Sequence, residues 1–194
     1  MNNELTEIVI VLDRSGSMRY IKDDMEGALD QFFDDQKKEP GRCLVTLTQF
    51  SDSYEIVYSG IDLKQVPKTL LLPMGSTALL DAIGRTILAV GERLTNTPEP
   101  ERPGKVIFLI ITDGQENASK GFSRDQIKNM IREQTDKYSW LFVYLGANQD
   151  AFAEAATMGI LYVQGYQANS VGTRAVIGAT STGVSNYRKG KGYN

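Results

Sequence analysis

Residues 7–13 read Glu-Ile-Val-Ile-Val-Leu-Asp, and residues 105–113 read Lys-Val-Ile-Phe-Leu-Ile-Ile-Thr-Asp. Each stretch is a continuous apolar run that ends at an aspartate. Runs of this kind are typical of parallel strands that helices cover on both faces of a sheet. We predict that the two strands are central neighbours. Asp13 and Asp113 then meet at the carboxyl edge of the sheet, where α/β folds place their sites.

Short strands alternate with amphipathic helices along the rest of the chain. The predicted strands are 43–50, 54–58, 140–145 and 160–163, and the predicted helices are 20–38, 77–94, 123–138 and 150–158. The strand 54–58 follows its predecessor after a short turn, which predicts a hairpin with an antiparallel strand at the edge. The alternation predicts an α/β fold in which helices cover both faces of one sheet.

Length and composition restrict the class of protein. The chain has 194 residues, which is typical of one domain, and no apolar run approaches the roughly 18 residues of a membrane-spanning helix. It has no histidine, which excludes Ser-His-Asp and Cys-His catalysis and histidine-bound zinc. The net charge of −3 argues against a nucleic-acid surface. A single cysteine, Cys43, and the lack of a signal-peptide pattern predict a cytoplasmic protein that binds no membrane.

The loop after the first buried strand carries a ligand pattern for a hard cation. Asp13, Ser15 and Ser17 offer one carboxylate and two hydroxyls at alternate positions, and Gly16 allows a tight turn between them. Thr77 at a helix start and Asp113 in Thr-Asp-Gly add a third hydroxyl and a second carboxylate. Oxygen ligands without nitrogen or sulfur favour Mg²⁺ or Mn²⁺, with Ca²⁺ also allowed. The alternative interpretation of the first loop is helix capping, because Asp and Ser are ordinary cap residues.

This five-residue pattern resembles the metal-ion-dependent adhesion site (MIDAS) of von Willebrand factor type A domains. All five elements are present in the family's order, and the resemblance covers roughly residues 4–165. The string from Ile110 to Asn117 resembles small intracellular bacterial and phage members, including those of tellurite-resistance operons. The resemblance implies a Rossmann-like α/β fold: a central, mostly parallel six-stranded sheet with one antiparallel edge strand and helices on both faces.

The resemblance also implies a role for each residue of the site. Ser15, Ser17 and Thr77 would bind the cation directly, whereas Asp13 and Asp113 would act largely through water. The open coordination position would accept a Glu or Asp of a protein partner, so the metal would be a bridge and the protein would not be an enzyme. A partner-binding rim around the cation is predicted to consist of Arg14, Met18, Tyr20, Gln115 and Asn117.

Two other functions remain open at this stage. The metal site could mainly stabilise a structural or assembly subunit, or a metal-activated water could hydrolyse a phosphate ester. The hydrolase is the weaker alternative, because phosphotransferases of the haloacid dehalogenase type need a carboxylate where this chain has Ser15. The sequence also lacks a Gly-x-Gly-x-x-Gly motif and a phosphate-binding loop.

The sequence also predicts the domain organisation and one short buried segment. Residues 1–165 are predicted to form the adhesion-site domain, and residues 166–194 a helical C-terminal extension that packs on the domain or mediates assembly. The oligomeric state is left open. Between Pro67 and Pro73, the triplet at residues 70–72, Leu-Leu-Leu, predicts a short buried segment.

Overall fold

A six-stranded sheet forms the centre of the computed structural model, which describes residues 1–147 and 150–193. The strand order is β3-β2-β1-β4-β5-β6. The strands are β1 (Asn2–Asp13), β2 (Arg42–Phe50), β3 (Tyr54–Asp62), β4 (Pro103–Thr112), β5 (Leu141–Ala147) and β6 (Tyr162–Tyr166). The helices are α1 (Lys22–Lys37), α2 (Leu79–Asn96), α3 (Arg124–Tyr138), α4 (Ala151–Thr157) and α5 (Ser170–Arg188).

The two apolar runs are parallel neighbours at the centre of the sheet. β1 pairs with β4 in register from Thr6 opposite Lys105 to Leu12 opposite Ile111. β2 flanks β1 on its other side in parallel, and β3 is antiparallel to β2 at the sheet edge. The predicted fold class, with a mostly parallel sheet and one antiparallel edge strand, is confirmed. The register brings Asp13 and Asp113 to the same carboxyl edge of the sheet.

Alternate side chains of β1 enter two separate cores, which explains why its sequence is apolar throughout. Ile8, Ile10 and Leu12 pack with residues of α1 and α5 on one face. Val9 and Val11 pack with residues of α2, α3 and α4 on the other face. Both faces of this central strand are therefore covered by apolar side chains.

Helix α5 closes the first core and includes most of residues 166–194. Its Val176, Ile177 and Val184 are buried in the core beside α1. Gln36 of α1 donates hydrogen bonds to the carbonyl and hydroxyl of Ser181, at 3.0 and 3.1 Å. β6 ends at Tyr166, so the predicted domain boundary falls inside the last strand. Asn194, the last residue of the predicted extension, lies outside the described residues.

Two glycines of α5 lie at positions where a side chain would collide with neighbouring atoms. A Cβ on Gly172 would lie 2.3 Å from the carbonyl oxygen of Gln167, and one on Gly183 would lie 2.8 Å from the ring of Tyr193.

The prediction that Leu70-Leu71-Leu72 is buried is wrong for its outer members. Leu71 is fully buried, but Leu70 and Leu72 are exposed because the segment is extended and its side chains alternate. No helix within the described part of the chain is long and apolar enough to cross a bilayer.

Candidate metal centre

Asp13 anchors the site from the end of β1, where its side chain is fully buried. Its Oδ1 accepts a hydrogen bond from the backbone N–H of Ser15 at 2.6 Å, which closes the tight turn that the sequence predicts. Its Oδ2 accepts one from the Thr112 hydroxyl at 2.6 Å. Both carboxylate oxygens are therefore held in place by the loop and by the neighbouring strand.

The two serine hydroxyls form a chain that reaches the second carboxylate. Ser15 Oγ lies 3.2 Å from Ser17 Oγ. Ser17 Oγ donates a hydrogen bond to Asp113 Oδ1 at 2.7 Å. The structure thus brings four of the five predicted ligands into one hydrogen-bonded cluster, although Ser17 and Asp113 are 96 positions apart in the sequence.

Thr77, the fifth predicted ligand, approaches the same cluster from the start of α2. A Cβ placed on Gly114 would lie 3.2 Å from Thr77 Oγ1 and 3.8 Å from Ser17 Oγ. The lack of a side chain at Gly114 therefore leaves the space between these two hydroxyls open. Ser17 also contacts Ser15 and Asp113. The candidate site thus comprises three hydroxyls and two carboxylates, and this oxygen set fits a small divalent cation.

Burial makes the two carboxylates of the site costly to ionise. It raises the pKa of Asp13 to about 6, although hydrogen bonds from Thr112 and Ser15 oppose the shift. It also raises the pKa of Asp113, against the hydrogen bond from Ser17. A cation would favour the ionised forms by supplying the charge that the buried surroundings lack.

No group of three or more His, Cys, Asp or Glu side chains suited to a metal ion occurs in residues 1–147 and 150–193. The candidate centre has two carboxylates, and its other potential ligands are hydroxyls. Few ligand charges leave a bound divalent cation incompletely neutralised. Such a cation attracts a further anionic ligand.

The loop after β4 is clamped onto the start of α2. Asn117 exchanges two hydrogen bonds with Thr77: the Thr77 N–H donates to Asn117 Oδ1 at 2.9 Å, and the Asn117 N–H donates to the Thr77 carbonyl at 3.0 Å. Glu116 accepts from the N–H of Leu80 at 2.9 Å and from the N–H groups of two residues of its own loop. The clamp fixes the loop that carries Asp113 relative to the helix start that carries Thr77.

Sequence reasoning missed three residues that support this arrangement. Thr112 orients Asp13, Glu116 caps the first turn of α2, and Asp81 accepts hydrogen bonds from three consecutive N–H groups, those of residues 120–122. Thr112 and Glu116 adjoin Asp113 within one short string, so their position was the available signal. Asp81 lies on α2 and gives no such signal.

A family model of the von Willebrand factor type A domain matches residues 7–160. The chain belongs to the von Willebrand factor type A (VWA) family. A search of curated proteins gives no match.

Solved structures share this VWA fold at low sequence identity. Proximal thread matrix protein 1 from the mussel byssus is 16% identical, with a TM-score of 0.65 over 93% of this chain and 46% of that one. Another structure of it, with a zinc-occupied MIDAS motif, gives 18%, a TM-score of 0.63, and 93% and 46% coverage. The chain thus spans less than half of the mussel protein. Manganese-loaded TRAP protein of Plasmodium vivax is 15% identical, with a TM-score of 0.58 and coverage of 91% and 73%.

Around the VWA site, the predicted rim residues have different environments. Arg14 donates to Glu55 Oε2 at 2.9 Å and to Ser53 Oγ at 3.1 Å, so its side chain lies against the β2–β3 turn. Gln115 donates to Asp150 Oδ2 at 2.7 Å. Tyr20 is almost fully exposed. Asn117 belongs to the clamp.

The prediction that Met18 belongs to the partner-binding rim is wrong. Met18 is 0% exposed and packs in the core with α1. The short 3-10 helix Gly16–Ile21 turns the chain directly after the site and directs this side chain inward. Among the predicted rim side chains, Tyr20 alone is both apolar in its body and exposed.

Proposed function

We propose that this VWA domain binds Mg²⁺ or Mn²⁺ and, through the metal, an acidic residue of a protein partner. The observation that carries the proposal is the convergence of Asp13, Ser15, Ser17 and Asp113 in one hydrogen-bonded cluster at the carboxyl edge of the sheet. The titles of two structural relatives support a divalent metal, since one mussel structure has zinc in its MIDAS motif and the Plasmodium vivax protein is loaded with manganese.

The chemistry of the residues explains how they would hold the cation. Ser17 can donate its proton to Asp113 and still offer an oxygen lone pair to a metal. Ser15 and Thr77 would supply neutral oxygens, and Asp13 and Asp113 would supply negative charge. Neutral direct ligands leave the cation electrophilic, so a partner Glu or Asp at the open position gains a strong ionic contact.

We place this binding activity in the cytoplasm, as a non-enzymatic interaction with protein and not with nucleic acid or membrane. The buried thiol of Cys43 and the net charge of −3 support this assignment. The metal bridges two proteins in this mechanism, and no bond is broken.

Thermal unfolding with and without 5 mM (roughly) Mg²⁺ or Mn²⁺ tests the metal site, because a ligand of the folded state raises the unfolding temperature by mass action. We expect the unfolding temperature of wild type to rise by several degrees, which corresponds to a stabilisation on the order of 2 kcal/mol. Asp113→Ala and Thr77→Ala should show no rise. Thr95→Ala, at the far end of α2, is the matched control and should keep the rise. No metal-dependent rise in wild type would contradict the proposal.

Partner chemistry is tested with a nine-residue synthetic peptide of serines around a central Glu, and with the same peptide carrying Gln. We expect the Glu peptide to shift the backbone NMR signals of the loops after β1 and β4 in Mg²⁺ but not in chelator. The Gln peptide should leave the signals of both loops unchanged, in Mg²⁺ and in chelator. Equal binding of the two peptides would contradict carboxylate recognition.

A further inference from the structure

A row of exposed apolar side chains precedes Thr77, one of the candidate metal ligands, in the sequence. Leu70, Leu72 and Met74 are 63%, 59% and 57% exposed, whereas Thr69 and Leu71 between and beside them are buried. We call the three exposed side chains the apolar row. Large apolar side chains presented together on a surface mark contact sites, because exposing them to water costs free energy.

The apolar row is held rigidly by side chains of the neighbouring elements. Three hydrogen bonds fix its backbone: Thr69 N–H to Asp30 Oδ1 at 2.8 Å, Leu71 N–H to Glu26 Oε1 at 2.7 Å, and Gln49 Nε2 to the Leu70 carbonyl at 2.7 Å. Two partly buried carboxylates of α1 are thus used to fix a segment outside regular secondary structure. A fixed segment loses little entropy when a partner covers it.

The row runs directly into the metal-binding loop. The Met74 N–H donates to the Arg14 carbonyl at 2.8 Å, and the Gly16 N–H donates to the Gly75 carbonyl at 3.1 Å. Gly75 has a φ of +74°, a left-handed backbone conformation that favours glycine at this junction. The backbone at Met74 and Gly75 therefore adjoins the loop that carries Ser15 and Ser17.

We infer that the partner carries its metal-binding Glu or Asp in a segment with large apolar side chains, which cover the apolar row. The inference rests on the proposed function and names the chemistry of the partner. In an extended segment of about 3.3 Å per residue, the row reaches roughly 13 Å from Met74 to Leu70. The metal would supply the ionic contact at one end, and the row would add apolar area along this direction.

Two synthetic peptides test the inference in the presence of Mg²⁺. One has the sequence Leu-Ser-Leu-Ser-Glu-Ser-Leu-Ser-Leu, and the other has serine at every leucine position. The protein variants are Leu70→Ser combined with Leu72→Ser, and a control that combines Leu88→Ser with Leu161→Ser. Leu88 on α2 is 57% exposed, which matches the row, and neither control residue belongs to the row. All four substituted side chains are exposed, so both variants should fold.

We expect the leucine peptide to bind wild type about tenfold more tightly than the serine peptide, since burial of apolar area adds to the carboxylate contact. The row variant should lose this preference while it binds the serine peptide as wild type does. The control variant should keep the preference.

Contrary results separate the inference from the proposed function. Equal, Mg²⁺-dependent binding of both peptides to wild type would overturn the inference and leave the proposed function intact. If the leucine peptide still binds in chelator, binding to the apolar row does not require the metal, and the inference is overturned. No binding of either peptide would contradict the proposed function and the inference together. If wild type sediments as a dimer and the row variant as a monomer, a second copy covers the row, and the inference is wrong.

Discussion

Asp13 is the single residue that would make the proposed metal centre sensitive to pH. Its pKa is raised by burial from 3.8 to about 6, so the folded, metal-free protein holds this proton more tightly than the unfolded chain does. The stabilisation from protonated Asp13, about 3 kcal/mol, is complete below pH 3.8 and is lost as the pH rises through 6. The proposed cation would reverse this preference, because its charge would favour the ionised carboxylate.

We therefore expect the rise in unfolding temperature caused by Mg²⁺ to be present at pH 7.5 and absent at pH 5. Thermal scans with and without the metal across this range measure it. Asp13→Asn is the control, and it should show no metal-dependent rise at either pH. A wild-type rise of equal size at both values would rule out proton competition at Asp13.

Glu7 is another buried carboxylate, in the middle of β1 and away from the candidate metal centre. Its side chain is fully buried, contacts Arg93 of α2, and accepts a hydrogen bond from Thr46 at 2.7 Å. Glu7 Oε2 has no hydrogen-bond partner among the residues that the structure describes. The buried charge of Glu7 is therefore compensated mainly by Arg93.

Removal of Arg93 alone should lower the free energy of unfolding more than removal of both the Arg93 and the Glu7 charge. We expect Arg93→Ala to lower the free energy of unfolding by about 3–5 kcal/mol, because it leaves a buried carboxylate uncompensated. Adding Glu7→Gln to Arg93→Ala should recover part of this loss. Urea unfolding of the single and double variants measures both values, and a double variant as unstable as Arg93→Ala would refute the charge argument.

At the scale of elements, the site depends on how the loop after β4 is joined to α2. Burial would raise the pKa of Asp81, but hydrogen bonds from three backbone N–H groups outweigh it and hold the pKa below its usual value. Glu116 accepts from the Leu80 N–H in the first turn of the helix. These carboxylates attach the loop that carries Asp113 to the helix start behind Thr77, although neither belongs to the metal ligand set.

Glu116→Ala should therefore weaken metal binding without removing a ligand. We expect a loss of about tenfold or more in Mg²⁺ affinity, as is usual for groups that orient metal ligands, and a stability loss of about 1–3 kcal/mol. Titration calorimetry and urea unfolding measure the two effects. Glu133→Ala, at an exposed ion pair on α3, is the matched control. If Glu116→Ala loses stability but keeps its metal affinity, the clamp stabilises the fold and does not influence metal binding.

The sequence was informative about elements where a single physical rule governs. β1 and β4 were predictable because two-sided burial requires an unbroken apolar run, and the convergence of Asp13 with Asp113 followed from parallel pairing. Met18 was not predictable, because the 3-10 helix that directs it inward has no periodic pattern. The segment that exposes Leu70 and Leu72 is held by hydrogen bonds with residues more than 20 positions away, and no local pattern shows these bonds.

At the scale of the whole molecule, α5 belongs to the core that supports the sheet. Val176, Ile177, Val184 and Tyr193 are buried in the same core as β1 and α1. Arg188 donates to the carbonyl of Gln36 at 2.7 Å and to the Gly41 carbonyl at 3.3 Å. Deletion of residues 166–194 would uncover this face of the sheet and leave polar groups of α1 without their partners.

We expect a chain that ends at residue 165 to lose cooperative unfolding in urea, because each large buried side chain removed costs about 2–5 kcal/mol and a domain has only about 5–15 kcal/mol in total. Circular dichroism and urea titration measure it. Arg188→Ala is the milder comparison and should unfold cooperatively with a loss of about 2 kcal/mol. A role of α5 in assembly is therefore better tested at its exposed face, with Val171→Asp, than by deletion. A truncated chain as stable as wild type would show that α5 is dispensable for the fold.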